Sequence, residues 1–263
     1  MPIHCPIDAQ CLDTEEFRSL DYGVMGQMFA SHNEIGRLAD EQVYRADIAM
    51  RLASQGLECV QEVPVNLSHK DYSKTLYLDL VVEQKAVYEL KTVSGLNSQH
   101  EAQLKTYLYA LDLERGKLVN LRQQSVESKY VHAPVPRSDR CGFKIEAENH
   151  RGDGKLHDLV VELVKDWGTS LSVSLYRQAL VHLLGGEDSV TQMVPMERQG
   201  QQLPHQRFHL VESDSAFELT AITNPGNHYT SQLERLLQFS PLHRLHWINI
   251  DTHSLTFQTI ARP

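Results

Sequence analysis

Four cysteines, at positions 5, 11, 59 and 141, form no C-x-x-C pair, which excludes a zinc ribbon and a disulfide framework and leaves them as free thiols. No apolar run approaches the length of a membrane span, and the N-terminal MPIHCPIDAQCLDTEEF has neither the basic nor the apolar stretch of a secretory leader. The expectation is a cytoplasmic protein without a membrane partner. Positive charge is short as well: the formal net charge is −9. Residues 1–65 carry 4 basic and 11 acidic side chains, 66–145 carry 12 and 9, and 146–263 carry 9 and 14. A chain that holds polyanions by bulk charge is therefore excluded, and any nucleic-acid contact has to be local and helped by a divalent cation. The fourteen histidines are spread along the chain and are read as surface or satisfied core residues rather than as a transition-metal centre.

What is present is a chain of 263 residues, 41% hydrophobic and 22% charged, long enough for one large domain or two ordinary ones with real cores. Its most informative stretch is LYLDLVVEQKAVYELKTVSGLNSQHEAQLKTY, residues 76–107. Two runs rich in β-branched and aromatic residues, Leu76–Val82 and Ala86–Val93, are separated by Glu83, Gln84 and Lys85, the pattern of a tight hairpin. Strand alternation puts Glu89 and Lys91 on one face, and Asp79 on the partner strand can share it. Beyond a short loop, Leu104, Leu108 and Leu111 recur at helical spacing, while His100, Gln103 and Tyr107 mark a second stripe that brings imidazole, amide and phenol groups to the edge of the same site.

Around this centre the chain reads in order. Residues 1–22 form a lead-in with a short helix near Glu15–Leu20. From about Val24 to Ser54 the pattern is helical, with Val43, Ala46, Ala49 or Met50, and Ala53 on one side and Gly56 as a stop. Leu57–Val65 reads as a strand and Lys117–Leu121 as another. The stretch 132–155, rich in Pro, Gly and charge, reads as a linker or long surface loop. The predicted division is thus 1–22, 23–131, 132–155 and 156–263.

The last segment repeats the plan of the second. Shifted by 129 residues without a gap, Glu89–Leu121 lies over Glu218–Ile250 with eight identities, among them Glu89/Glu218, Gln103/Gln232, Leu108/Leu237 and Asn120/Asn249. Val63-Pro64 matches Val194-Pro195 at 131, and Gly36, Tyr44, Arg45 and Leu52 match Gly168, Tyr176, Arg177 and Leu184 at 132. Matching order along the unit argues for an internal duplication. The second copy lacks the chemistry: Thr220 stands for Lys91, Val173 for Glu41, Leu236 for Tyr107, and Phe208 or His209 for Asp79.

The residues from Gly36 to Tyr44, then YLDLVVEQKAVYELKTV and HEAQLKTYL, resemble the GxxExxY family of the PD-(D/E)XK nuclease superfamily. Glu41 and Tyr44 match its first motif; the family's glycine three residues before the glutamate is Leu38 here, with Gly36 nearby. The resemblance implies an α/β fold, a mixed sheet flanked by helices, duplicated in tandem with the second copy packed as an intramolecular pseudo-dimer. It makes Asp79 and Glu89-Leu90-Lys91 the D…ExK signature, Glu41 an added acidic residue, and Gln103-x-x-x-Tyr107 the QxxxY motif of RecB-type members. The implied activity is hydrolysis of nucleic acid, DNA ahead of RNA.

Those residue types suit the chemistry independently of the name. Mg²⁺ or Mn²⁺ prefers hard oxygen donors, gathers charge at a phosphoryl group and lowers the pKa of an attacking water. Asp79, Glu89, the Leu90 carbonyl and Glu41 would supply the donors. Lys91 would stabilise developing negative charge, Gln103 would position water or phosphate, and Tyr107 would pack against or bond to the strand. His100, Lys105 and Tyr44 are candidates for substrate contact. Glu127-Ser128-Lys129 has the same E-x-K spacing but reads as a decoy outside any apolar strand. The alternative reading is a non-catalytic nucleic-acid-binding or scaffold protein that keeps the fold.

Overall fold

The computed structural model describes residues 2–152 and 154–262 and separates into two compact units, Met1–Ser68 with Ser73–Arg137, and His69–Tyr72 with Ser138–Pro263. Each is built on its own six-stranded mixed sheet. Among the described residues no helix is long and apolar enough to cross a membrane.

The first unit runs β1 (Ile3–His4), α1 (Thr14–Ile35), α2 (Glu41–Ser54), β2 (Cys59–His69), β3 (Tyr72–Val82), β4 (Ala86–Lys91), α3 (Ser98–Leu111), β5 (Arg115–Asn120) and β6 (Glu127–His132), with the strands side by side in chain order. The start of α1 is set by a capping box: Asp13 accepts from the Glu15 and Glu16 N–H groups, each at 2.9 Å, and Glu16 accepts from the Asp13 N–H at 3.0 Å. Its end is set by Gly36 at φ +81°, a conformation that a β-carbon disfavours. The helical pattern expected unbroken from Val24 to Ser54 is therefore two helices. The buried face of α2 also differs from the expected one. Tyr44, Ile48, Ala49 and Leu52 face inward, while Val43, Ala46, Met50 and Ala53 are exposed. The larger Tyr, Ile and Leu side chains remove more apolar surface from water than the stripe rich in alanine.

The predicted hairpin is present. Glu83 and Gln84 both take φ 54° and the Lys85 N–H returns to the Val82 carbonyl at 3.0 Å, a type I′ turn whose twist matches its strands. Strands β3 and β4 pair antiparallel with Leu80 opposite Tyr88, and β4 then pairs parallel with β5 across the α3 crossover. On one face, Leu80, Tyr88, Leu90 and Val119 pack against Phe17, Val24, Met28, Tyr44, Ile48 and Leu52 of α1 and α2. On the other, Gly116 admits α3: a β-carbon there would lie 3.0 Å from Leu108 Cδ2, 3.1 Å from the Val87 carbonyl and 3.3 Å from Leu104 Cδ1. The decoy Glu127-Ser128-Lys129 lies in β6, paired antiparallel with β5, but that strand is not an apolar one. It is a polar edge strand, and such edges show little apolar alternation.

The second unit contains α4 (Arg137–Cys141, at the boundary), β7 (Lys144–Asn149), α5 (Lys155–Trp167), α6 (Val173–Leu183), α7 (Glu187–Val190), β8 (Thr191–Arg198), β9 (Gln201–Glu212), β10 (Ser215–Thr220), α8 (Gly226–Gln238), β11 (Arg244–Ile250) and β12 (Ser254–Ala261). The expected linker 132–155 thus holds a helix and a strand. Strand β7 pairs parallel with β12 at the sheet edge, and its charged sequence KIEAEN hid it. From β8 to β12 the sheet order is that of β2 to β6, with the same parallel pair, β10 with β11, in the same place.

Candidate active site

The β3–β4 ladder ends at Leu80/Tyr88. One step further the register puts Asp79 opposite Glu89, on the face that also carries Lys91. There the strands part, and the Asp79 carboxylate fills the gap by accepting the Leu90 N–H at 2.8 Å through Oδ2. Because a strand residue's N–H and C=O leave on the same edge, the Leu90 carbonyl opens onto this gap as well. Asp79 Oδ1 accepts from Arg45 Nη1 at 2.9 Å, and the same guanidinium reaches Glu62 at 2.8 Å and lies 4.0 Å from Glu41.

Glu89 is only 1% exposed. Its Oε1 receives the Lys91 ammonium at 2.5 Å, whereas its Oε2 is buried without a hydrogen-bond partner. Burial first, then the Asp79 charge, pushes the Glu89 carboxyl up to about 8 against the opposing pull of Lys91. Glu41 is raised too, by burial and then by Asp79, with Lys91 and Arg45 holding it down. On α3, Gln103 Nε2 donates to Tyr107 Oη at 2.7 Å. The Tyr107 phenol is pushed up to about 12, mainly by burial and next by Glu89, so this pair lies within the field of the carboxylates.

The structure therefore gathers Asp79, Glu89, Lys91 and Glu41, with the Leu90 carbonyl on the same gap and Gln103–Tyr107 beside it. Three substrate-contact candidates fare differently. Tyr44 is fully buried and its hydroxyl bonds the Gly36 carbonyl, so it ties α2 to the end of α1 and cannot touch a ligand. His100 takes part in the α3 cap, its Nδ1 accepting the Asn97 N–H at 3.2 Å. Lys105 is exposed and extends over the Tyr109 ring at 5.9 Å. Arg45 and Glu62 were not anticipated. The i, i+4 spacing of Glu41 and Arg45 was the available signal for the first; Glu62 gave none. Tyr77, 58% exposed two residues before Asp79, is a further unforeseen aromatic on Asp79's face.

The deciding comparison concerns residues 18–131. That segment matches the family model of the PD-(D/E)XK nuclease superfamily. All the residues gathered at the gap lie inside the matched segment, and Ser138–Pro263 of the second unit lies outside it. Comparison with curated proteins and with solved structures found no match.

The superfamily implies a divalent metal, and the donors present fit one. They are hard oxygens only, one of them a buried carboxylate oxygen without a partner, the donor type that Mg²⁺ and Mn²⁺ prefer. No group of three or more His, Cys, Asp or Glu is already drawn up as a metal cage among the described residues; the set relies on the Leu90 carbonyl and on Glu41 from α2. A cleft of about 590 Å³ lies elsewhere, in the second unit. Its walls include Glu146, Glu234 and Asp251 and, among the described residues, no Lys, Arg or His, so it has no cationic side chain to meet a phosphodiester.

Proposed function

We propose that the first unit is a metal-dependent nuclease of the GxxExxY type, cleaving phosphodiester bonds of nucleic acid, with DNA as the expected substrate. The observation that carries this is the opposition of Asp79 and Glu89 beside Lys91 at a parted strand pair, within the segment that matches the nuclease superfamily. Asp79, Glu89, the Leu90 carbonyl and Glu41 would hold Mg²⁺ or Mn²⁺. When bound there, the ion supplies positive charge to the phosphoryl oxygens and lowers the pKa of a coordinated water.

The chain's own groups do the rest. Lys91, anchored by Glu89, presents its ammonium to the negative charge that grows on the scissile phosphate. Gln103 spends one amide hydrogen on Tyr107 and keeps its carbonyl to align water, and Tyr107 fixes the amide's orientation. Tyr77 offers an exposed ring against which a nucleobase can stack.

The second unit supports the reading of a degenerate copy. Tyr176 bonds the Gly168 carbonyl as Tyr44 bonds Gly36. Asn249 exchanges two hydrogen bonds with the Ile222 backbone, as Asn120 does with Val93. The register places Phe208 opposite Glu218, where Asp79 faces Glu89, so this copy has lost an acid as well as the lysine and serves a structural or substrate-binding role.

The test is a panel of linear, circular, single- and double-stranded DNA and RNA, each with EDTA, Mg²⁺ and Mn²⁺, on the parent and on Lys91→Ala. Cation-dependent cleavage by the parent, lost in the variant with binding retained, supports the proposal. The engagement of both Asp79 oxygens favours the alternative of a non-catalytic binding or scaffold protein. Binding by the parent without cleavage under any cation would establish that alternative.

A further inference from the structure

Arg45 holds one Asp79 oxygen at 2.9 Å while a second nitrogen of its guanidinium stays on Glu62 at 2.8 Å. Glu62 takes φ +49°, a backbone conformation uncommon for a residue with a long side chain, so the anchor is held at a local cost. The second unit shows what the same arginine does where no aspartate is present. Arg177, the counterpart of Arg45, has its Nη2 3.6 Å from Glu218 Oε1 and donates it to the Leu219 carbonyl at 3.2 Å. At the 129-residue shift, Glu218 and Leu219 are the counterparts of Glu89 and Leu90, two of the oxygen sources assigned to the metal. In that copy the guanidinium sits on the oxygens a divalent ion would need.

We propose that Arg45 is a resident counter-cation that competes with the divalent ion for the oxygens of the site, and that the ion enters by displacing the guanidinium from Asp79 while Glu62 retains it. In the second unit the same competition has been decided for arginine, so Glu218 and Leu219 hold no divalent ion. This rests on the metal-dependent reading above. It adds that apparent metal affinity is set by an internal competitor as well as by the donors.

The test is Mn²⁺ binding to the full chain, read as loss of the free-ion electron paramagnetic resonance signal, with Asp79→Asn defining background. Removing the guanidinium in Arg45→Gln is expected to tighten Mn²⁺ binding roughly tenfold or more, because a partly buried ion pair no longer has to be broken. The same variant should melt lower than the parent in EDTA, with Asp79 left uncompensated, and gain more from saturating Mn²⁺. Arg45→Lys keeps a charge without the two-pronged reach and should fall between parent and Arg45→Gln, which preserves the test if the glutamine variant folds poorly. Glu218→Gln should leave the bound Mn²⁺ count unchanged. Weaker or unaltered Mn²⁺ binding in both Arg45 variants, alongside parent binding that Asp79→Asn abolishes, overturns the competition and leaves the metal site standing. Absence of binding above background in parent and variants alike overturns both.

Discussion

Replacing Glu89 by Gln tests the electrostatics of the site without a substrate. Glu89 is buried beside Asp79 with one oxygen unpartnered, and its carboxyl rises from the ordinary 4.5 to about 8. A carboxyl raised on folding makes the native state bind the proton more tightly than the unfolded chain. Its stabilising contribution is complete below the ordinary value and is lost as pH climbs through 8. The slope is about 1.4 kcal/mol per pH unit in that window, so from pH 5 to pH 8 the cation-free first unit loses on the order of 3 kcal/mol, or about 10 °C in melting temperature. Glutamine cannot take up the proton and still offers Lys91 an oxygen, so the variant should lack this fall and be the more stable protein at pH 8 in EDTA. Melting curves of parent and variant in EDTA from pH 5 to pH 9 measure the difference directly, since all other titrating groups are common to both. Parallel curves would refute the claim that Glu89 is held protonated by burial and by Asp79. Saturating Mn²⁺ should reverse the ranking at pH 8, because only the parent has the anionic donor.

Other expectations follow from single contacts. Gly116→Ala, with its new methyl at 3.0 Å from Leu108 and 3.1 Å from the Val87 carbonyl, should cost about 1–3 kcal/mol in urea unfolding and shift α3, which carries Gln103 and Tyr107. Tyr44→Phe removes only the hydroxyl on the Gly36 carbonyl; it should cost about 1 kcal/mol in urea unfolding and leave nucleic-acid binding within twofold, against a role in substrate contact. Lys117 and Asp21 form a buried pair at 2.6 Å, with Tyr130 donating to the same Asp21 oxygen at 2.5 Å. Lys117→Met alone should cost about 3–5 kcal/mol, and combining it with Asp21→Leu should recover much of that loss.

The sequence was most legible where periodicity and chemistry coincide. In the β3–β4 hairpin one alternation both buries Leu80, Tyr88 and Leu90 and aligns Asp79 with Glu89, so strand register and candidate site came from one pattern. It was least legible where polar sequence forms edge strands: β6 and β7 have few inward residues, and only pairing with β5 and β12 reveals them. Helix α2 misled in another way. Its smaller apolar residues make a regular stripe, yet burial follows the bulk of Tyr44, Ile48 and Leu52. Tyr44, named as a substrate-contact candidate, is buried instead, its hydroxyl donating to the Gly36 carbonyl at the end of α1. The contact of Arg45 with Asp79 has no sequence signal, because the two lie 34 residues apart and only the fold brings them together.

The two units, taken as copies, separate what the fold needs from what the chemistry needs. Both keep the tyrosine on the glycine carbonyl, the asparagine bridging β5 or β11 to the loop after the preceding strand, and the parallel strand pair flanked by antiparallel neighbours. These satisfy backbone groups that burial would otherwise leave unpaired, and their loss would be felt whatever the protein does. The positions that differ are those that cost stability. With Phe208 in place of the aspartate, Glu218 has no carboxylate facing it across the strands, and its remaining upward shift comes from burial alone. Thr220, where the lysine would stand, donates to Asn249 and accepts from Trp247, converting a charged position into a neutral network. The first unit keeps the facing pair and meets each carboxylate with a cationic side chain, Arg45 on Asp79 and Lys91 on Glu89, so the charge of the pair is compensated from within the chain.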